Sequence, residues 1–325
     1  MTDLIQRYGR GLSWLSIGLT AFWLLALVIL PYLGLFEQSF RPYLPVDEIG
    51  GPNDHYTLHN YMALFSNPQD ITLCLPGKDT IPGSPIYLPD LVVNWPIHLY
   101  IFILTIVYSS VVTLIVLMLC YPIAYCMAKV MDPRSLPTFF LLLVIPLWVS
   151  ELMRSFSWYI ILSLNGPLST LLMDLGILSA PVRWTWGLCG YSGIMVGLIY
   201  TYVLFMLFPV YNAMTSLDSN QIEAAEDLGA GWIRKHWRVI IPHCKPGIAS
   251  GSVTVFMLAA SSLLVPSLLA SPKSRWFTEV IQQWMFESHD WNSGAAYAFL
   301  LLVVCTIFVT VMMKLFKVGL SDIAK

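Results

Sequence analysis

The sequence predicts an all-α integral membrane protein with six transmembrane helices. Of its 325 residues, 57% are apolar and only 11% are charged, whereas an average soluble domain carries roughly 25% charged residues. The few charges lie in groups, and five of the uncharged runs between them are longer than the roughly 20 residues that a helix needs to cross the hydrocarbon core. These runs lack the alternation of apolar and polar residues that is typical of barrel strands, so helices are expected.

Each predicted span follows from one apolar run. The third run is interrupted by Glu151 and Arg154, and we expect a helix that carries both charges within it. The spans are predicted at 12–36, 97–129, 138–163, 187–214, 247–270 and 294–316. The other segments are a cytoplasmic N-terminus at 1–11, a Pro-rich external loop at 37–96, a cytoplasmic loop at 215–246 and a second external loop at 271–293.

The distribution of Lys and Arg predicts the orientation of these spans. Eleven of the 17 basic residues fall on the side that holds both chain ends, and six fall on the other side. Because cytoplasmic loops are enriched in Lys and Arg, both termini are expected in the cytoplasm. The first span follows Arg7 and Arg10 as a signal peptide would, but its length and the lack of a small-residue cleavage site favour a retained anchor.

The chain lacks the sequence patterns of catalytic and metal sites. Its six histidines have no paired spacing of the kind that binds zinc, and His236 and His243 are expected to be solvated or interfacial. Cys74 and Cys189 both fall on the predicted external side, and sequence alone leaves a disulfide between them open. We therefore expect neither an enzyme nor a metal site, and any energy source must lie in another subunit.

The loop between the fourth and fifth predicted spans is the most informative segment. Asp218 or Ser219 can cap a short helix there, and acidic residues follow early in it, where the helix dipole favours negative charge. Gly229 is placed to end this helix. Ala224 and Ala225 lie within it, and such small residues allow the backbone of another protein to approach closely.

A second helical piece is predicted at 232–241. It places apolar residues, among them Trp232 and Trp237, on one side and basic residues on another. Such a helix is expected to lie along the inner membrane interface. Pro242 is predicted to end it, because proline cannot continue the hydrogen bonding of a helix.

This loop resembles the EAA loop of the membrane subunits of bacterial ABC importers. The order and spacing of that motif are reproduced by Glu223-Ala224-Ala225, Gly229 and Val239-x-Ile241-Pro242. The resemblance implies a type I importer permease of the inner membrane, in which the short helix couples to an ATP-binding subunit. The residues implied in coupling are Glu223, Ala224, Ala225, Asp227, Gly229, Ile241 and Pro242.

The same resemblance implies the partners of the chain. They are two ATP-binding subunits, a second homologous permease and an external solute-binding protein. ATP and Mg are expected in the ATP-binding subunits, and no cofactor is expected on this chain.

Two further stretches resemble spermidine/putrescine permeases. They are 146–158, followed by Asn165-Gly166-Pro167, and 290–296. The resemblance implies that the transported solute is a polyamine. Glu151 and Ser271-Pro272-Lys273 depart from that pattern, so a same-type importer of an aminophosphonate, an opine, sulfate or iron stays open. A secondary carrier is a more distant alternative, because it would require an internal repeat.

An ionisable residue inside the membrane is by default a candidate for function. Glu151 and Arg154 are three residues apart, so they can pair on one helix face. Glu151 would supply a counter-charge to a polycation. The aromatic residues that offer ring faces for cation–π contact are Trp148, Trp158 and Tyr159. A self-satisfied ion pair and an interfacial aromatic belt are the structural alternatives.

Overall fold

The computed structural model describes residues 2–44, 48, 51–52, 54–66, 68–73, 91–178, 180–186, 190–271 and 274–316. In these residues the fold is mostly helical. The α-helices are α1 (Thr2–Leu24), α2 (Leu30–Ser39), α3 (His59–Met62), α4 (Ile97–Tyr125), α5 (Leu136–Val144), α6 (Glu151–Ile161), α7 (Pro167–Asp174), α8 (Ser192–Thr215), α9 (Ser219–Asp227), α10 (Trp232–Lys235), α11 (Ile241–Ser261), α12 (Leu264–Leu269), α13 (Phe277–Gln282) and α14 (Trp291–Phe316). Four segments are π-helical, namely Leu25–Ile29, Cys126–Val130, His236–Ile240 and Gln283–Glu287. Among the elements whose bounds lie within the described residues, the 3-10 helices are Ala63–Phe65, Ile145–Trp148 and Trp184–Trp186. The chain divides into two compact units, Met1–Ser66 with Ile281–Leu301 and Asn67–Val280 with Leu302–Lys325.

Four helical segments of the described chain are long and apolar enough to cross a membrane. They are Trp14–Ser39, Ile97–Val130, Ser192–Thr215 and Trp291–Phe316. A fifth is gained if the bent pair Leu136–Trp148 and Glu151–Ile161 counts as one span. Helix α11 lies where the fifth span was predicted but is not among these candidates, because its Gly, Ser and Lys residues lower its hydropathy. The all-α class is confirmed, and the count of six spans stays a prediction.

Among the prolines that lie inside continuous helices, two come two residues after a π-helical segment. Pro31 follows Leu25–Ile29, and Pro242 follows His236–Ile240. A proline lacks the N–H for the helical hydrogen bond, and its ring clashes with the carbonyl four residues earlier. A π turn is wider than an α turn, so it gives the ring room without ending the helix. The prediction that Pro242 ends the second helical piece is therefore wrong, since helix continues from α10 through α11.

The third predicted span is not one straight helix. The chain turns by 90° between Leu136–Trp148 and Glu151–Ile161. Pro146 lies in the 3-10 segment that ends α5, and Val149 and Ser150 are non-helical. Ser150 then caps α6, because its hydroxyl accepts a hydrogen bond from the Met153 N–H at 3.3 Å. Glu151 is thus the first residue of a helix, whereas the sequence prediction placed it within one.

The predicted external loop contains regular structure. Strands β1 (Pro68–Leu73) and β2 (Leu91–Pro96) pair antiparallel, with Pro68 opposite Pro96. Neither strand was predicted, because the many prolines of this segment favoured a loop. Cys74 and Cys189 lie outside the described residues.

In the first unit, polar side chains fix the chain where it leaves α2. Arg41 pairs with Glu37 at 2.5 Å and with Asp54 at 3.0 Å. Asn60 donates from Nδ2 to the carbonyls of Ser39 at 3.0 Å and Arg41 at 2.8 Å. The beginning of the external segment is therefore held by specific hydrogen bonds, although its sequence lacks a long helix or strand.

The second unit is built on the packing of α4, α8 and α11. Gly247 and Gly251 lie four residues apart on α11, and both are buried. A Cβ at Gly247 would lie 2.5 Å from the Pro209 carbonyl oxygen, and one at Gly251 would lie 2.7 Å from Met206 Sδ. Such spacing of small residues lets two helix backbones approach closely, which is a common way of joining helices in membranes.

Gly247→Leu is expected to destabilise the protein. The new side chain would meet the α8 backbone, and such overpacking costs on the order of 1–3 kcal/mol of the free energy of unfolding. Thermal unfolding of the purified protein in detergent should report a lower midpoint. Gly18→Leu is the control, because a Cβ at Gly18 of α1 meets nothing within 4 Å. Equal midpoints for both variants would contradict close packing of α8 on α11.

Candidate functional site

Helix α9 forms the short helix that the EAA-like loop predicts. Asp218 caps its start, with Oδ1 accepting a hydrogen bond from the Asn220 N–H at 3.0 Å. Gly229 ends it in the left-handed region at φ +74°. The Gly229 N–H bonds to the Glu226 carbonyl at 2.8 Å, and the Ala230 N–H bonds to the Ala225 carbonyl at 3.0 Å. These two bonds satisfy carbonyl groups that would otherwise be left open at the helix end.

One face of α9 is turned to the outside and the other is packed against the protein. Ile222 is buried at 9% exposure. Glu223, Ala224 and Asp227 are exposed, and Ala225 is half-buried. The face that carries the predicted coupling residues is therefore free of contact with the rest of this chain over most of its area.

Sequence analysis missed Leu228, which is 88% exposed. It lies at the C-terminal end of α9, four residues after Ala224, so the two residues share one face. A large apolar side chain with this exposure is suited to burial against another protein. The signal was present in the sequence, because Leu228 follows the alanine pair at helical spacing.

An ion pair joins α9 to the next helical piece. Lys235 is nearly buried and binds the Glu226 carboxylate. The hydrogen bond to Glu226 raises the pKa of Lys235, so the lysine stays charged at neutral pH. Glu226 was predicted as an acid early in the helix, where the dipole favours negative charge. That prediction is wrong, because the first turn of α9 holds no acid and Glu226 lies near its C-terminal end, where it serves as an anchor instead.

His236 is buried, which makes the prediction of a solvated or interfacial histidine wrong. A hydrogen bond of 2.7 Å joins its Nδ1 to the Tyr121 hydroxyl of α4. Its ring centroid lies 4.3 Å from that of Trp232 and 4.7 Å from that of Tyr125. Burial, with a smaller effect of Lys235, lowers the pKa of His236. The neutral imidazole therefore packs among aromatic rings and fixes the π-helical segment to α4.

The last two residues of the EAA-like motif lie at the start of α11. Ile241 is half-buried and packs against the hydrophobic core. Pro242 is exposed, and the π segment before it accommodates its missing N–H within the continuous helix. His243 is exposed, and its Nε2 lies 3.1 Å from the Ser216 hydroxyl.

The predicted pathway residues surround the break between α5 and α6. Glu151 is half-buried and accepts a hydrogen bond from the Tyr202 hydroxyl of α8 at 3.2 Å. Among the ion pairs of the described residues, none joins Glu151 to Arg154. Arg154 Nε is buried and has no hydrogen-bond partner among the described residues. The pairing that the spacing allows is therefore not formed, and the carboxylate is held by a neutral hydroxyl instead.

The three predicted aromatic residues have different surroundings. Trp158 is half-buried and packs edge-to-face on Tyr200 of α8, with ring centroids 5.5 Å apart. Tyr159 is 47% exposed and stacks on Phe156, and Trp148 is 79% exposed. Of the three, only Trp158 packs against the edge of the hydrophobic core.

Comparisons with known proteins agree with this arrangement. The family described as "Binding-protein-dependent transport system inner membrane component" matches residues 130–320. The spermidine/putrescine transport system permease protein PotB of Escherichia coli is 30% identical over 282 residues, which are 87% of this chain and 90% of that protein. PotB of Haemophilus influenzae is 35% identical over 203 residues, which are 62% of this chain and 70% of that protein.

A solved structure has the same fold. It is a chain of the crystal structure of a bacterial alginate ABC transporter in complex with an alginate pentasaccharide-bound periplasmic protein. The TM-score is 0.61 at 16% sequence identity, and the match covers 98% of this chain and 99% of that one. The resemblance that the EAA-like loop carries is thereby confirmed, and the chain belongs to the inner membrane components of binding-protein-dependent transport systems, as a permease subunit of a type I ABC importer.

Proposed function

We propose that this chain is the transmembrane permease subunit of an ATP-driven importer of polyamines. The observation that carries the proposal is the similarity to a spermidine/putrescine permease over 87% of the chain. The chain would form half of the translocation path, and a second homologous permease would form the other half. A solute-binding protein would deliver the substrate from outside, and both termini would lie in the cytoplasm.

Coupling to ATP hydrolysis would run through α9. Its outward face offers an acid, a small residue and an exposed leucine, which are Glu223, Ala224 and Leu228. The chain would bring no ATP-hydrolysing chemistry of its own, so ATP and Mg would bind in two partner subunits. Each permease would present one such helix to one ATP-binding subunit.

The structure supports a mechanical link from α9 into the helix bundle. The Glu226–Lys235 ion pair ties α9 to α10, and helix continues from α10 through the π segment into α11. Helix α11 packs on α8 through Gly247 and Gly251. A displacement of α9 would therefore move α11 as a lever and shift its packing against α8.

Glu223→Arg is expected to abolish uptake and substrate-stimulated ATP hydrolysis. A charge reversal at an exposed contact site opposes docking, whereas it leaves the folded chain intact because Glu223 is exposed. Uptake and ATP hydrolysis would be measured in proteoliposomes that contain the complete importer. Asp174→Arg is the control, since Asp174 is also an exposed acid but lies on α7. Normal uptake by Glu223→Arg would remove this face from coupling.

Gly229→Val is expected to uncouple the importer through the backbone. Gly229 has φ +74°, and a β-branched residue in this region costs about 1–2 kcal/mol. The end of α9 would then shift, and ATP hydrolysis would no longer respond to substrate. Gly231→Val is the control, because Gly231 has φ −63° and no atom within 4 Å of an added Cβ. Equal activities of the two variants would show that the left-handed turn is dispensable.

Glu151→Gln is expected to reduce polyamine uptake at limiting substrate. Loss of a charged acceptor for an ammonium group costs about 1.5–3 kcal/mol, which is about tenfold or more in affinity. Uptake of radiolabelled putrescine would be measured in the reconstituted importer, with the exposed acid Asp174→Asn as control. An unchanged rate would exclude Glu151 from the path, and failure of the unaltered importer to take up polyamines would overturn the substrate assignment.

A further inference from the structure

Two helix breaks meet in the second unit. The first separates α5 from α6 at Val149 and Ser150, and the second separates α11 from α12 at Ser262 and Leu263. Helix α6 packs against α12, and α8 packs against both. In membrane proteins, non-helical backbone is tolerated only where protein covers it or where it lines a cavity. Discontinuous helices that meet in this way often form the binding sites of transporters.

Tyr202 of α8 connects the two breaks. Its hydroxyl donates to Glu151 Oε1 at 3.2 Å, directly after the first break. The same hydroxyl lies beside the side chain of Ser262 in the second break. Thr278 holds the backbone there, because its hydroxyl donates to the Ser262 carbonyl at 2.6 Å. The carboxylate, the phenol and the serine therefore form one polar cluster.

This cluster has unused hydrogen-bonding capacity. Ser262 is only 6% exposed, yet its Oγ has no well-formed hydrogen bond among the described residues. An ionised carboxylate can accept about four hydrogen bonds, and Tyr202 is the side chain that donates to Glu151 in the described hydrogen bonds. A buried polar atom without a well-formed hydrogen bond is costly, so Ser262 Oγ is available to a ligand that enters the cluster.

We propose that Glu151, Tyr202 and Ser262 bind one primary ammonium group of the substrate. This inference rests on the proposed function, and it adds which side-chain atoms would bind the substrate. An ammonium carries three donors and no acceptor. The free carboxylate oxygen of Glu151, the Ser262 hydroxyl and the lone pairs of the Tyr202 hydroxyl supply three acceptors around it.

Arg154 limits how tightly this site holds a cation. It lies one turn after Glu151 on α6. Its charge interacts electrostatically with the Tyr202 hydroxyl, as the charge of Glu151 does. No ion pair joins the two side chains among the described residues, so the carboxylate stays free, and the guanidinium weakens the hold on a cation as a nearby like charge. A transport path requires binding that is favourable enough for entry and weak enough for release, and this arrangement of charges meets both requirements.

Charge-selective labelling of Ser262→Cys tests the site. The six native cysteines would be replaced, and the assembled importer would be labelled during ATP turnover. The reagents are a cationic ethylammonium and an anionic sulfonatoethyl methanethiosulfonate, with rates normalised to free cysteine. We expect the cationic reagent to react about tenfold faster, as one charge interaction of about 1.4 kcal/mol gives. Putrescine should slow the reaction, and Glu151→Gln should remove the preference.

Ser252→Cys is the matched control, because Ser252 lies within α11, before the break, at 1% exposure and should react slowly with both reagents. Equal normalised rates at Ser262→Cys, or a reaction that putrescine leaves unchanged, would overturn the ammonium site. This result is distinct from failure of the proposed function. An importer that takes up polyamines without charge-selective labelling loses only the site, whereas selective labelling without polyamine uptake keeps a cation site and loses the substrate.

Discussion

The fold depends on one constraint, which is that a peptide group inside a lipid bilayer must find its hydrogen bond within the protein. A proline removes a donor, and the helix accommodates it with a preceding π turn at Pro31 and Pro242, whereas Pro122 and Pro209 lie within continuous α-helix. Where the helix stops altogether, side chains replace the missing bonds. Ser150 caps α6, and Thr278 bonds to the carbonyl of Ser262. Both helix breaks are thereby stabilised by polar groups, and polar groups are also what a charged solute requires.

The same constraint connects the two candidate sites. Because the π turn spares the helix at Pro242, the chain is helical without interruption from α10 to the end of α11. That helix begins beside the Glu226–Lys235 ion pair and ends at Ser262, the residue that opens the second break. One continuous helix thus has α9 beside its first end and the polar cluster at its second. Coupling between distant sites needs an element that both sites can bias, and this helix meets that condition.

Local signals in the sequence were sufficient to predict α9 but insufficient to predict the polar cluster. Asp218 and Gly229 mark the two ends of α9 because capping depends on neighbouring residues only. Ser150 was an equally local signal for the break before α6, but the apolar run around it favoured a straight helix. Tyr202 could not be found in this way, since it lies 51 residues from Glu151 and the contact arises only from tertiary packing. His236 was misjudged for the same reason, because the rings that bury it come from α4 as well as from its own helix.

The exposure of Leu228 has a consequence for the subunit before it assembles. Its side chain is 88% exposed, although burial of a leucine is worth roughly 1.5–3 kcal/mol. In the importer proposed here, the ATP-binding subunit covers this leucine, so a permease that has not yet met its partner displays it. Exposed apolar residues of this kind are what chaperones and proteases recognise on incomplete proteins. In that importer, the exposed end of α9 would therefore distinguish an unassembled subunit from an assembled one.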